Sequence, residues 1–364
     1  FPAAFLEDID LDGLKDLIVS TNLDNNPGNL VSLDNHLRVF RNEGSNAQPA
    51  FAQSEPFLQS EMLDLGENAF PTFLDHDEDG DLDLLISNQG RIEEYSRVFL
   101  FENTGNRFEP MFELTESDFA NLSRFEYTGL KTQWADMDGD RIIDLIYQAK
   151  PLNSTTRLFF SKGNSDGSYQ EPIDLGIDVS VGSNPFVFDL NKDGVMDLLI
   201  GEQFGSLTYY ENEGNLNFIS RRGFGGLEND FNRQNLSVSI AKFGNRFDQL
   251  LTIDGQGKLR LYNNIADENW TRTELSEDLI ILNEQRTGLN FGRASYLAAA
   301  DLNDDGKASL VIGTSRGGIY ILNNITERTG DSENELRVSV SPNPTSSNLK
   351  VLINSTSIGR GGGT

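Results

Sequence analysis

Asp75-His76-Asp77-Glu78-Asp79-Gly80-Asp81-Leu82-Asp83 runs directly into the apolar Leu84-Leu85-Ile86. Carboxylates at this density repel one another unless a cation lies among them. With Asp75 as position 1, side-chain oxygens fall at positions 1, 3, 5 and 9 (Asp75, Asp77, Asp79, Asp83), and Gly80 at position 6 permits the sharp turn that wraps them round one centre. Hard oxygen donors without Cys or His favour Ca²⁺ over zinc or copper, and a flexible loop suits Ca²⁺ better than rigidly octahedral Mg²⁺. An EF-hand opens in the same way, but it needs a bidentate Glu at position 12 and a helix on each side. Here position 12 is Ile86, and Phe70–Leu74 and Leu84–Ser87 read as two strands joined by the loop.

The motif recurs roughly every 60 residues, the mark of a repeat architecture. The first copy has Asp8, Asp10, Asp12, Gly13 and Asp16, followed by Leu17-Ile18-Val19. The third has Asp136, Asp138, Asp140 and Asp144, but Arg141 stands at position 6 and Gly139 at position 4, so a slightly different loop path is expected. The fourth is complete, with Asp189, Asn191, Asp193, Gly194 and Asp197. A fifth unit keeps only its flanks, Ile240-Ala241-Lys242 and Asp248-Gln249-Leu250-Leu251, and is expected to bind no metal. Lys242 or Arg246 either pairs with Asp248 in the ion's place or stands in solvent. The sixth has Asp301, Asn303, Asp305 and Gly306, with Ser309 in place of the ninth-position Asp, which makes it the weaker site.

The sequence after each loop repeats as well. An aromatic or β-branched strand ending near Asn follows, as in Leu37–Asn42, Val98–Asn103 and Leu207–Asn212, and then a Gly-bearing turn and a looser strand. Each unit thus offers about four strands, the content of one propeller blade. The longer insertions, Asn22–His36, Glu116–Leu130 and Gly225–Asn235, are where binding surfaces are expected on a rim.

These units resemble the FG-GAP/VCBS-type repeats of integrin-α-like β-propellers. The resemblance implies an all-β propeller over residues 1–326 with six visible four-stranded blades, a seventh having to come from sequence upstream of Phe1. It further implies about five structural Ca²⁺ ions, each held by the side chains named above and by a main-chain carbonyl at position 7. Those carbonyls belong to Leu14, Asp81, Ile142, Val195 and Lys307. Beyond a polar linker at 327–335, the segment 336–364 (Leu336-Arg337-Val338-Ser339-Val340-Ser341-Pro342-Asn343-Pro344 onward) resembles the opening of the C-terminal sorting domain of Bacteroidota type IX secretion cargo, a truncated β-sandwich.

Composition bounds the function. The chain has 364 residues, 37% hydrophobic with 24 Phe, enough for a core, and a net charge of −28 that opposes binding to nucleic acid. It has no Cys and two His, which excludes disulfides and makes zinc chemistry a poor fit. No apolar run reaches the ~18 residues of a membrane span. His76 in the second loop and His36 in an insertion read as surface residues, and Trp134, beside the third loop, as core. Trp270 is left open as a sugar-stacking residue. The expectation is a secreted or surface-held, non-enzymatic module on a Bacteroidota-like cell. It would bind a protein or glycan and meet the secretion machinery through its C-terminal segment. The alternative is a lyase-like polysaccharide-active enzyme on the same scaffold.

Overall fold

The computed structural model describes residues 3–9, 12–20, 37–53, 55–56, 65–90, 94–242, 248–263, 265, 271–274, 280–282, 285–287, 291, 296–315, 317–322 and 348–350. The insertion at 22–36, Arg246, Trp270, the linker and most of the sorting-domain segment lie outside these. The chain divides into two compact units, Phe1–Asp64 with Asn343–Asn348, and Leu65–Pro342 with Leu349–Thr364.

In the first unit β1 (Ala3–Glu7), β2 (Asp16–Ser20), β3 (Leu37–Phe40) and β4 (Glu55–Pro56) form one antiparallel sheet in sequence order. Val19 and Val39 are buried in it.

The second unit repeats that sheet. Its first copy holds β5 (Phe70–Leu74), β6 (Asp83–Ser87), β7 (Val98–Asn103) and β8 (Met111–Glu116). The next holds β9 (Thr128–Ala135), β10 (Asp144–Lys150), β11 (Arg157–Ser161) and β12 (Ile173–Asp174). Then come β13 (Asn184–Phe188), β14 (Asp197–Gly201), β15 (Leu207–Asn212) and β16 (Phe218–Arg222), and β17 (Ser237–Ala241), β18 (Gln249–Ile253), β19 (Leu259–Asn263) and β20 (Thr271–Glu274). A hairpin of β21 (Ile280–Leu282) and β22 (Gln285–Thr287) precedes a sheet of β23 (Tyr296–Ala300), β24 (Ser309–Gly313) and β25 (Ile319–Leu322). A short β26 (Asn348–Lys350) borders β8.

The pattern of apolar residues follows position in the sheet. The second strands are covered on both faces, so the runs after each loop are continuous rather than alternating, and β6, β14 and β24 are buried at every residue. The outer β16 is mostly exposed.

The inner strands form a closed circuit. β5 packs on β9, β9 on β13, β13 on β17, β17 on β23, and β23 back on β5. The last seam is built like the others. Asn68 and Ala69 donate to Ser315 and Thr314, each at 3.1 Å, as Gly129 and Leu130 donate to Gln89 and Asn88 at 2.6 and 3.1 Å, and Asn235 and Leu236 to Gln203 and Glu202 at 2.9 and 3.3 Å. Two glycines make such approaches feasible. A Cβ on Gly201 would lie 1.9 Å from Leu236 O, and one on Gly313 would lie 1.9 Å from Ala69 O.

The six expected sheets are therefore present among the described residues, the last with three described strands instead of four, and the five of the second unit close a ring among themselves. The first forms a unit of its own. Periodicity alone does not distinguish these arrangements, because closure depends on which inner strands meet.

One layer of the ring shows how the seams are stitched. Phe70, Lys131, Asn184, Ser237 and Tyr296 share a register position, opposite Ser87, Gln148, Gly201, Ile253 and Gly313. Lys131 Nζ donates to Asn184 Oδ1 at 2.8 Å and to the carbonyls of Ser183 and Val181 at 2.6 and 3.0 Å. Asn184 Nδ2 donates to Leu236 O at 2.9 Å, and Leu297 N–H donates to Ser237 Oγ at 3.1 Å. Tyr296 meets Phe70 at 5.5 Å between ring centroids and lies under the Lys131 ammonium. Lys131, Asn184 and Ser237 thus find partners across the seam, whereas Ser87 Oγ and Gln148 Oε1 in the same layer are buried without a hydrogen-bond partner.

Apolar clusters fill the spaces between blades, as with Leu85, Leu100, Tyr127, Leu145, Tyr147 and Phe159. The insertion Glu116–Leu130 joins that core rather than the rim, because Phe119 and Leu122 turn inward. Trp134 is buried there, 5.3 Å from Phe119 and 5.5 Å from Tyr169, as its place in the sequence led us to expect.

Candidate metal centres

The loops joining the first two strands of a sheet share one hydrogen-bond scaffold. The position 1 carboxylate accepts the N–H of position 6: Asp8 from Gly13, Asp75 from Gly80, Asp136 from Arg141, Asp189 from Gly194 and Asp301 from Gly306, at 2.8–3.2 Å. The position 5 carboxylate accepts the N–H of position 7: Asp12 from Leu14, Asp79 from Asp81, Asp140 from Ile142, Asp193 from Val195 and Asp305 from Lys307, at 2.7–3.0 Å. Position 3 accepts from position 5, as Asp77, Asp138 and Asn191 do. Asp10 lies outside the described residues.

The scaffold leaves carboxylates converging. Asp75, Asp77 and Asp79 present oxygens within 4.8 Å of one another, as do Asp136, Asp138 and Asp144. Asp75 Oδ1 is buried and has no hydrogen-bond donor. Burial, reinforced by Asp79 and Asp83, pushes Asp81 up to about 6. Acid groups crowded in this way, with an orphaned buried oxygen, fit a hard cation.

The ninth-position Asp is engaged beyond the expected ligand role. Asp83 accepts from His76 at 2.9 Å through Oδ2 and from Asn103 at 2.8 Å through Oδ1. Asp144 accepts from Met137 and Gly163, both at 2.9 Å, and Asp197 from Leu190 and Asn212 at 3.1 and 2.9 Å. Asp16 accepts from Asn42 at 2.8 Å. Each carboxylate clamps the loop to the end of the third strand. At Asp83, Asp144 and Asp197 both oxygens are engaged, so a metal would have to share one, whereas Asp16 Oδ2 has no hydrogen-bond partner. Tyr209 adds its hydroxyl to Asp197 at 2.9 Å. The sixth unit has buried Ser309 at this place.

The clamp also explains the Asn that recurs at the end of the third strand. Asn42, Asn103 and Asn212 each accept, through Oδ1, the N–H of the glycine two residues on, Gly44, Gly105 and Gly214, at 3.0–3.2 Å. Asn-x-Gly is thus an Asx turn that starts the next hairpin.

One expectation is corrected, and of the alternatives at Asp248 pairing with Lys242 is excluded, Lys242 being exposed. Arg141 does not divert the third loop: it adopts φ +70°, in line with +89° to +93° at Gly13, Gly80 and Gly194, and Gly139 matches the positive φ of Glu78, Lys192 and Asp304 at position 4. The hydrogen bonds of the scaffold hold Arg141 in the left-handed region at a cost of ~1 kcal/mol. In the fifth unit, the described cation on Asp248 is Lys192 of the fourth loop at 3.0 Å, not Lys242. Lys242 instead offers its carbonyl to Ala308 at 2.8 Å.

A basic residue also meets the third loop, where the motif gives no hint of one. Lys162 Nζ bonds Asp138 Oδ2 and lies 2.6 Å from Asp140 Oδ2. It holds the Asp140 carboxyl below the usual range.

At the opposite end of the fourth blade, the Gly225–Asn235 insertion is fixed by Arg233, which donates to Gly205 O and Glu228 O at 2.7 and 2.6 Å. It presents Phe231, 72% exposed, 6.0 Å from Phe204, 49% exposed.

Sheets arranged in a ring, all but the fifth unit's with an acidic loop between the first two strands, define a repeat β-propeller. Residues 136–200, from the third loop through β14, match the family described as FG-GAP-like repeat. No curated protein matches the chain. Among solved structures, a thermostable family-43 glycoside hydrolase is 12% identical, with 78% of this chain and 98% of that one covered at a TM-score of 0.45. BBS1N, solved in complex with ARL6DN, is 12% identical over 94% of this chain and 82% of that one, TM-score 0.33. The V. cholerae biofilm matrix protein Bap1 is 12% identical over 95% and 65%, TM-score 0.21. Similarity at this level bears on neither activity nor ligand. No described helix is long and apolar enough to cross a membrane.

Proposed function

We propose that this chain is a calcium-stapled, non-enzymatic propeller displayed outside the cell, which binds a protein or glycan on the rim opposite its metal loops. The observation that carries the metal reading is the recurrence of one acid-converging scaffold, with the buried, donor-less Asp75 Oδ1 at its heart. Calcium would be held by Asp75, Asp77, Asp79 and Asp83 and their counterparts in the first, fourth and sixth loops, with the position 7 carbonyls completing the shell. Its binding free energy would become folding free energy. Repeats of the FG-GAP kind are usually extracellular and often bind protein, which supports the placement. Export through the 336–364 segment belongs to the same reading.

The binding rim is assigned to the Phe204–Phe231 pair. An exposed aromatic pair held by a buried arginine offers rigid apolar area at low entropic cost. Two measurements test the proposal. Chelation should lower the melting temperature by many degrees, and an unchanged melt overturns the metal role. On a panel of glycans and surface proteins, Phe231→Ala should abolish binding without altering the melt. Glycan turnover abolished by one Asp, Glu, Tyr or Lys substitution outside the loops would instead establish an enzyme.

A further inference from the structure

The third loop keeps the acid set and the backbone path of its neighbours, yet a lysine ammonium bonds its position 3 and 5 carboxylates, as no described lysine or arginine does in the second and fourth loops. The N–H groups of Asn103, Gly163 and Asn212 all donate to the ninth-position carboxylate of their own loop. The residues just before them therefore occupy one structural position: Glu102, Lys162 and Glu211. In the fourth loop Glu211 accepts from Asn191, the position 3 residue, at 3.4 Å. In the third, the Lys162 ammonium bonds Asp138 at position 3 and lies 2.6 Å from Asp140 at position 5.

We propose that Lys162 is the resident cation of the third loop and keeps calcium out of it. The ammonium occupies two of the carboxylates that a divalent ion would need, and an entering ion would meet a fixed like charge a few ångströms away. The side chain is tethered to the adjacent strand, so it competes at the high local concentration of an intramolecular ligand. Lys162 is 34% exposed, so the pair adds little to stability as a salt bridge, and its effect is on which cation the loop accepts. The same economy is visible next door, where Lys192 supplies the charge beside Asp248 in the unit without acidic ligands.

The inference deepens the calcium reading of the other loops, and its test separates the two. Bound Ca²⁺ per full chain is counted at saturation, with calcium alone as the probe, for wild type, Lys162→Gln and Lys162→Glu. The Glu variant gives the third loop the residue of the second and fourth. Each variant should bind one equivalent more than wild type. Asp140→Asn should leave the wild-type count unchanged and remove the gained equivalent from the Lys162→Glu protein. No gain in either variant, or loss of one equivalent from the wild type on Asp140→Asn, overturns the inference. A wild type that binds no calcium while Lys162→Glu binds one would refute the proposed function and sustain this assignment.

Discussion

Asp83 accepts the main-chain N–H of Asn103 at 2.8 Å, and this one bond ties the loop between the first two strands to the end of the third. The carboxylate is 2% exposed, and its other oxygen accepts from His76 at 2.9 Å. Removing it leaves two N–H groups without their acceptor. Asp83→Ala should therefore cost about 2–4 kcal/mol even in chelator. Asp79→Ala, at the exposed metal face of the same loop, should lose mainly the calcium-dependent part. Denaturant titrations with and without calcium separate the two, and equal losses in chelator would remove the distinction between clamp and ligand.

Arg141 holds φ +70° at a position where four other loops have glycine. Nothing lies within 4 Å of a Cβ at Gly13, Gly80, Gly194 or Gly306, so conformation rather than space sets the preference. Arg141→Gly should stabilise the protein by ~1 kcal/mol, and Gly80→Ala should destabilise it by a similar amount. A melt shift of opposite sign for either would contradict this account.

Gly313 faces Ala69 O as Gly201 faces Leu236 O, each with room for a Cβ only at 1.9 Å. Because β23 packs back on β5, Gly313→Ala and Gly201→Ala should cost alike, roughly 1–3 kcal/mol each by overpacking. A harmless Gly313→Ala beside a costly Gly201→Ala would mean that the seam between β23 and β5 is open in solution.

Lys131 is wholly buried, and that burial pulls its ammonium down to about 7 from 10.5. Between these values the unfolded chain binds more protons than the folded one, so this group's contribution to stability rises with pH from about 7 and is flat below. Above pH ~10 the tyrosines whose pKa burial raises, Tyr147 and Tyr209 among them, reverse the trend, because the unfolded chain then loses protons first. Lys131→Met should flatten the slope between pH 7 and ~9.5 relative to wild type. Parallel curves of melting temperature against pH would rule out the buried ammonium as its source.

Much of this fold is written locally. The acidic loops, the continuous apolar runs after them and the Asn-x-Gly that starts the outer hairpin in three of the units are short-range patterns, and each corresponds to hydrogen bonds within one sheet. What the loops do with their ninth residue was not legible, because Asp83 and Asn103 meet through a strand pairing that spacing does not specify. Lys162 was hidden for the same reason: it is distant in sequence from Asp138 and adjacent only once β10 and β11 have paired. Aligned repeats place Arg41, Glu102, Lys162 and Glu211 at one position, which shows that its charge varies but not which carboxylates it meets. Arg141 looked like a defect because glycine is the easy solution to a left-handed turn. The bonds from Asp136 and its neighbours supply a costlier one. The partner of Asp248 lay in another blade altogether, at Lys192.

The bonds from Asn68 and Ala69 to Ser315 and Thr314 have the same form as those within the run of blades. By this pattern, the place where the chain enters the circle leaves no scar. Blade order along the gene is then bookkeeping, not architecture: a circularly permuted ring, opened between β16 and β17 and joined across the present ends, would meet the same neighbours through the same contacts.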